Sequence, residues 1–280
     1  MPWRFTDEVE VYAGKVWDLL ARNPEQQTVA LSVIESTRAG RTWGGTPVFG
    51  FHEDGGDVTG AVSLTPPFEL LLCVVPEDAV DDLAAALRSH AAPVPGANGE
   101  PGVVRRFAAA WTDGTGLPSR TGMRQCLYAL GTLAPPDPAP AGHARPADPD
   151  EVELAIGFID AFQAEAGAHG TDAAEYVRTT MAAGRLWMWE DPDGRAAAMA
   201  GRTATSAGVA RIAPVYTPPE HRRRGYGAAV TAACTADALA RDADHVVLFT
   251  DRTNATSNSV YRRIGFGPIG EREVIRFDQP

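Results

Sequence analysis

Apolar residues fall into alternating helical and strand-like blocks along the second half of the chain. From Pro149 to Phe162, residues Val152, Ile156 and Ile159 recur three or four apart behind a capping Asp148, which predicts a helix. Thr171 to Met181 predicts another, opened by Thr171 or Asp172. Arg185 to Glu190 (RLWMWE), Ala196 to Thr205 and Val209 to Thr217 read as successive strands, with the turn sequence DPDG between the first two. The alanine-rich stretch Gly225 to Arg241 predicts a long helix and HVVLFTD, His245 to Asp251, a buried strand. Thr256 to Ile264 reads as a short helix and Ile269 to Phe277 as a closing strand. Trp187 and Trp189 alternate onto one strand face, where core packing is the expected role.

The first half is less sharply patterned. Pro24 to Ser36 reads as helix, and Thr46 to His52, Val58 to Leu64 and Phe68 to Val75 as strands. Pro76 to His90 predicts a helix with proline at its start, Gly102 to Trp111 a further helix, and Met123 to Leu133 a strand. Between the halves lies Ala134 to Gly142, APPDPAPAG, where Pro135, Pro136, Pro138 and Pro140 exclude a helix or central strand and favour an extended linker. The expected organisation is residues 1–133, a linker at 134–142, and residues 143–280. Each domain is an α/β (α+β) unit, a mixed, mostly antiparallel sheet flanked by helices. The order of strands and helices in the first half echoes the second, as a degenerate duplication would.

At 280 residues, 44% hydrophobic and 22% charged, the chain can bury a core. Its 25 basic and 36 acidic residues leave a net charge of −11, which argues against nucleic-acid or anionic-membrane binding and suits a cationic small substrate. Lys15 is the single lysine, so a Walker-type phosphate loop is excluded. No apolar run reaches the roughly 18 residues needed to span a bilayer, and the start MPWRFTDEVEVY lacks signal-peptide features, so a cytoplasmic location is expected. Cys73, Cys126 and Cys234 are distant from one another and read as buried structural thiols. The histidines form no metal-binding spacing, and no metal is expected.

The most informative stretch is RIAPVYTPPEHRRRGYGAA, from Arg211. A strand ends at Val215-Tyr216-Thr217, two prolines stop it, and a basic loop opens a helix. The first amides of a helix have no intrahelical partner, and the helix dipole adds partial positive charge there. Gly225 and Gly227 remove side chains where a phosphate must approach, and Arg222, Arg223 and Arg224 supply balancing charge. A diphosphate suits this arrangement. A dinucleotide fingerprint fails at Val230, where a third glycine is required, and lacks the acidic residue at the end of the next strand unless Asp251 is stretched to serve.

These residues resemble the GNAT superfamily of acyl-CoA-dependent N-acyltransferases, in which a strand ending V-x-V/T leads to Q/R-x-x-G-x-G/A. Val215-Tyr216-Thr217 followed by Arg222-Arg223-Arg224-Gly225-Tyr226-Gly227 keeps that spacing. A second segment, TDRTNATSNSVYRRIGFGPIG, is similar to the family's N-x-x-(A/S)-x-x-x-Y-x-x-x-G-F at Asn254, Ser257, Tyr261, Gly265 and Phe266. The resemblance covers roughly Ala144 to Phe277. It implies acetyl-CoA as co-substrate, with the amides from Arg223 to Ala228 (Arg223, Arg224, Gly225, Tyr226, Gly227 and Ala228) on the diphosphate. It further implies Val215, Tyr216 and Thr217 along the pantetheine arm and Asn254 and Asn258 beside the cofactor. The first half resembles the inactive partner domain of tandem GNAT proteins. It has no R-x-x-G-x-G loop, and its nearest glycine-rich stretch, PVPGANGEPGVV, lacks basic charge.

The implied reaction is direct attack of a primary amine on the thioester, with Tyr261 as the acid that protonates the departing sulfur. Backbone donors near Val215 or Tyr216 would polarise the carbonyl. The base is open. Glu165, His169, Glu190 and Asp251 are candidates, as is relay to water, because the strand before the loop, Arg211-Ile212-Ala213-Pro214, carries no glutamate. The expected acceptor is a small cationic amine, and the expected assembly a monomer or homodimer. A non-catalytic acyl-CoA-binding module is the alternative.

Overall fold

A computed structural model describes residues 3–90, 92–167 and 172–278. They form two compact units, and the chain crosses from one to the other more than once. The first comprises Met1–Leu127, Asp251–Thr253 and Gly270–Pro280, and the second Tyr128–Thr250 and Asn254–Ile269.

The first unit contains β1 (Trp3–Thr6), α1 (Val9–Ala21), α2 (Thr28–Arg38), β2 (Val48–Asp54), β3 (Asp57–Leu64), β4 (Leu70–Val74), α3 (Val80–Ser89), β5 (Gly96–Gly99), α4 (Pro101–Thr115) and most of β6 (Ser119–Leu130). Strands β1 to β4 pair antiparallel in sequence order, and β5 joins β4 in parallel. Phe107, Trp111 and Phe277 stack in the core beneath α3 and α4. Tyr12 of α1 stacks on Phe49 of β2, with centroids 4.9 Å apart.

The second unit contains β7 (His143–Pro146), α5 (Val152–Ala166), α6 (Ala173–Ala182), β8 (Leu186–Glu190), β9 (Ala196–Arg202), β10 (Val209–Tyr216), α7 (Tyr226–Arg241), β11 (His245–Asp251), α8 (Ala255–Arg263) and the start of β12 (Phe266–Phe277). Strands β7 to β10 pair antiparallel and β11 joins β10 in parallel. The succession of elements is that of the first unit. Leu186, Met188, Met199 and Tyr216 pack on α5 and α6. The alternate residue Trp189 turns to the opposite face and lies parallel to Tyr226 of α7, with centroids 6.2 Å apart and planes 23° off.

Three features depart from the pattern read in the sequence. Residues from Gly270 group with the first unit, because β12 pairs with β5 from Glu273 opposite Gly99 to Arg276 opposite Gly96. Strand alternation is the same whichever edge a strand joins, so periodicity carries no sign of this exchange. The carboxylate of Glu273, 1% exposed, is held there by Arg105 Nε and Arg124 Nε, each at 2.8 Å. Secondly, the proline-rich segment is packed: Ala134 N–H donates to the Ile264 carbonyl at 3.1 Å and Trp189 Nε1 donates to the Ala141 carbonyl at 3.2 Å. Thirdly, the structure adds α1, β1, β5 and β7 to the elements predicted above. The stretch PVPGANGEPGVV supplies β5 and the start of α4. Of the cysteines, Cys73 and Cys234 are buried and Cys126 is half-buried.

Candidate active site

Strands β10 and β11 diverge at their C-terminal ends. Their parallel pairing runs from Val209 opposite His245 to Ile212 opposite Leu248, although β10 continues to Tyr216 and β11 to Asp251. The divergence begins at a bulge. The register of β10 against β9 shifts between Ile212 and Val215, where Pro214 has no N–H to give to a ladder. The bulge also reverses which face later residues occupy and so sends Tyr216 toward α5. Tyr176 of α6 holds the distortion by donating its hydroxyl to the Ala213 carbonyl at 2.7 Å, and burial pushes that phenol's pKa up. Past the bulge, Val215 and Tyr216 pair with Ala200 and Met199 of β9. In an antiparallel ladder adjacent residues alternate, so one of the two turns its N–H away from β9 into the opening.

Helix α7 starts after the end of β10 and α8 after the end of β11, so both N-termini lie at the carboxyl ends of parallel strands, where open α/β sheets place ligands. Gly225, at φ 84°, caps α7 without a side-chain hydrogen bond. Ala229 is the first residue whose N–H finds a helical partner, the Gly225 carbonyl at 3.1 Å. The amides of Tyr226, Gly227 and Ala228 before it have none. Arg223, at φ 63°, shares the left-handed conformation of Gly225, a turn geometry that gathers successive N–H groups on one concave side. A Cβ on Gly227 would lie 3.0 Å from Thr217 Oγ1, so the helix start and the strand end are in close contact.

The three arginines divide. Arg223 and Arg224 are exposed and have no ion-pair partner among the described residues. Arg222 is engaged: Nη2 lies 2.7 Å from each oxygen of Glu165 at the end of α5, and Nε donates to the Thr217 carbonyl at 2.9 Å. Its guanidinium also lies 5.9 Å from the centre of the Tyr216 ring. Burial, and then the neighbouring Glu165 carboxylate, push the Tyr216 phenol above its ordinary pKa, so it stays neutral and donates to Glu165 Oε1 at 3.3 Å. Sequence spacing gave no sign of this triple contact, because Glu165 is remote along the chain.

The second motif builds α8. Asn254 caps it by accepting from Ser257 N–H at 3.0 Å, and Asn258 Nδ2 donates back to the Asn254 carbonyl at 2.7 Å. Tyr128, at the end of β6, donates its hydroxyl to Asn258 Oδ1 at 2.9 Å. These amides hold the helix in place. Asn254→Ala should therefore cost about 1 kcal/mol of stability, read as a lower thermal midpoint. A midpoint unchanged from the parent would show that the cap contributes nothing. Tyr261 is half-buried one turn beyond Asn258, edge-on to Phe266 at 6.4 Å, and burial pushes its phenol up to about 12.

Of the candidate bases, Glu165 is paired as above, and Glu190 accepts from Arg145 Nε at 2.6 Å. Asp251 accepts from the N–H and hydroxyl of Thr253, both at 2.7 Å. His169 lies outside the described residues. Among the described residues no group of three or more His, Cys, Asp or Glu could hold a metal ion, and no helix is long and apolar enough to cross a membrane.

The first unit repeats the framework without these groups. Pairing of β4 with β5 stops at Leu72 opposite Gly99, and the register of β4 against β3 shifts across Cys73. The turn into α3, however, carries Glu77, Asp78, Asp81 and Asp82 where the second unit has arginines, and Trp3 Nε1 donates to the Ala79 carbonyl there at 3.1 Å.

Residues 193–275 match the sequence family described as FR47-like protein. No curated protein matches the sequence. Solved structures match along the whole chain. A GNAT-family acetyltransferase from Colwellia psychrerythraea is 12% identical with a TM-score of 0.62, and the match covers 100% of both chains. A GCN5-related N-acetyltransferase from Sphaerobacter thermophilus is 18% identical with a TM-score of 0.64, covering 100% of this chain and 96% of that one. A tandem GNAT protein from the clavulanic acid biosynthesis pathway is 15% identical with a TM-score of 0.55, covering 99% of each. The chain thus has the fold of the GNAT superfamily over its full length, and an FR47-like sequence over residues 193–275.

Proposed function

We propose that the protein is an N-acetyltransferase that moves an acetyl group from acetyl-CoA to the primary amine of a small cationic acceptor. The observation that carries this reading is the start of α7: three amides behind a left-handed glycine, flanked by two arginines, all without a partner among the described residues. These groups fit a diphosphate. A Cβ-free position at Gly227 lets it approach the backbone, and the helix dipole favours its charge. Within this reading the amides of Tyr226, Gly227 and Ala228 bind the diphosphate with Arg223 and Arg224 around it. The open edge of Val215 to Thr217 orients the pantetheine arm. Bound there, acetyl-CoA supplies the activated acyl group.

The chain's own residues then have three tasks. The N–H of Val215 or Tyr216 that faces the opening polarises the carbonyl under attack. Tyr261, neutral throughout the physiological range, offers its hydroxyl proton to the sulfur as negative charge develops. The surrounding site holds the amine beside the carbonyl, and that proximity supplies much of the rate. With Glu190 held by Arg145 and Asp251 by Thr253, and no glutamate on the strand before the loop, the amine proton passes to water. An acidic protein of net charge −11 attracts a cationic acceptor. The acidic turn into α3 repels a diphosphate, which limits the chain to one CoA.

Calorimetric titration with acetyl-CoA, followed by a thiol-release assay over a panel of cationic amines, tests the reading. One CoA bound per chain and amine-dependent release of free thiol are expected. Binding without release for any amine would leave an acyl-CoA-binding module, and no binding would reject the reading altogether.

A further inference from the structure

The Arg222 guanidinium stands between two claims on it. It forms an ion pair with Glu165 at 2.7 Å, yet it belongs to the loop whose other arginines are free. Its Nε is tied to the carbonyl of Thr217, and the hydroxyl of that same threonine lies where a Cβ on Gly227 would touch it. Through Thr217 the guanidinium is therefore a near neighbour of the unpartnered amides. Building on the proposed CoA site, we propose that Arg222 is exchanged between Glu165 and the CoA diphosphate, and that the released Glu165 carboxylate receives the positive charge of the acceptor amine.

The energetics favour exchange over a fixed clasp. The side chains of Arg222 and Glu165 are 42% and 49% exposed, and an ion pair so open to water is weakly held. A diphosphate carries more charge than a carboxylate and accepts a guanidinium in paired hydrogen bonds, a stronger arrangement. Once Arg222 leaves, Glu165 retains, among the described residues, the long contact from the Tyr216 hydroxyl at 3.3 Å. Tyr216 lies on the strand end proposed to carry the pantetheine arm, so the freed carboxylate stands beside the acyl group. Before CoA arrives, Arg222 covers that carboxylate against cations. Arg222 and Glu165 are thus positioning residues whose pairing couples the two substrate sites, and such coupling acts equally in both directions.

Calorimetry with CoA alone as the probe tests the exchange through a double-mutant cycle. Removing the competitor by Glu165→Gln should tighten CoA binding about two- to fivefold, the worth of an exposed pair. The same substitution in an Arg222→Gln background should change nothing. In the protein with Glu residues labelled with carbon-13, the Glu165 carboxyl resonance should move when CoA is added, and this movement should be smaller in the Arg222→Gln protein. Weaker or unchanged CoA binding in Glu165→Gln, an effect that persists without Arg222, or a Glu165 carboxyl resonance indifferent to CoA would each overturn the exchange. Binding that is abolished by Gly227→Asp but insensitive to Glu165 would remove the exchange and leave the CoA site standing. No CoA binding in the parent protein would remove both.

Discussion

Gly227→Asp should weaken CoA binding by about 100-fold or more while leaving the protein folded. The position is the second residue of α7, and its amide is one of the three without a partner. An aspartate there places a carboxylate where the diphosphate must lie. At a separation of about 4 Å and an effective dielectric constant near 20, two like charges repel by roughly 4 kcal/mol, and each 1.4 kcal/mol is about tenfold in affinity. The steric change is smaller. The new Cβ would meet Thr217 Oγ1 at 3.0 Å, which the side chain at a strand end relieves by shifting a few tenths of an ångström. An acidic residue in the first helical turn also gains about 0.3–1 kcal/mol from the dipole. The thermal midpoint should therefore stay close to the parent's. Gly227→Ala separates the two effects, because it keeps the contact and omits the charge, and its loss of affinity should be much smaller. Affinity retained in Gly227→Asp would mean that the diphosphate binds elsewhere.

Tyr261→Phe should lower kcat about 100- to 1000-fold with the KM for acetyl-CoA within roughly twofold, the range seen when one donor to developing negative charge is removed. The pKa decides between two roles for the phenol. Burial holds it at about 12, well above an ordinary thiol near 8.5. Complete proton transfer to a thiolate is uphill, so the hydroxyl acts as a hydrogen-bond donor that becomes effective as the carbon–sulfur bond breaks. The sign of the pH dependence follows. A raised phenol pKa keeps the proton in place below about 12, so the loss of Tyr261's contribution begins only as pH approaches that value. Between pH 7 and 10 the ratio of parent to Tyr261→Phe kcat should be constant. A ratio that declines with a midpoint near 10 would place Tyr261 in open solvent, and an unchanged kcat would remove it from the mechanism.

Much of the second unit was legible because its signals are local. The strand from His245 to Asp251 reads from seven residues alone, and the loop from Arg222 to Ala228 announces itself by glycine, charge and the prolines that end β10. What spacing could not show is which charges are already spent. Arg222 looks equivalent to Arg223 and Arg224 in sequence, but its guanidinium is taken by Glu165, a partner from another helix. Asn254 and Asn258 sit at family positions, and their amides are occupied with capping α8 and receiving Tyr128.

In the first unit the sequence was silent where elements are short or weakly apolar. β5 reads GANG and has no hydrophobic alternation; parallel pairing to β4 and antiparallel pairing to β12 make it a strand. Helix α1 does carry a local signal, since Tyr12, Val16 and Leu20 are four residues apart and buried on one face. The grouping of residues from Gly270 with the first unit depends on tertiary pairing, and alternation of apolar residues along β12 is blind to it.

The central claim is that the backbone at the start of α7 grips the diphosphate of CoA. A crystal structure of the CoA complex tests it most directly. The account predicts phosphate oxygens about 2.7–3.2 Å from the amide nitrogens of Tyr226, Gly227 and Ala228. Ordered CoA seated elsewhere, or those three amides still facing water in crystals saturated with CoA, would contradict it.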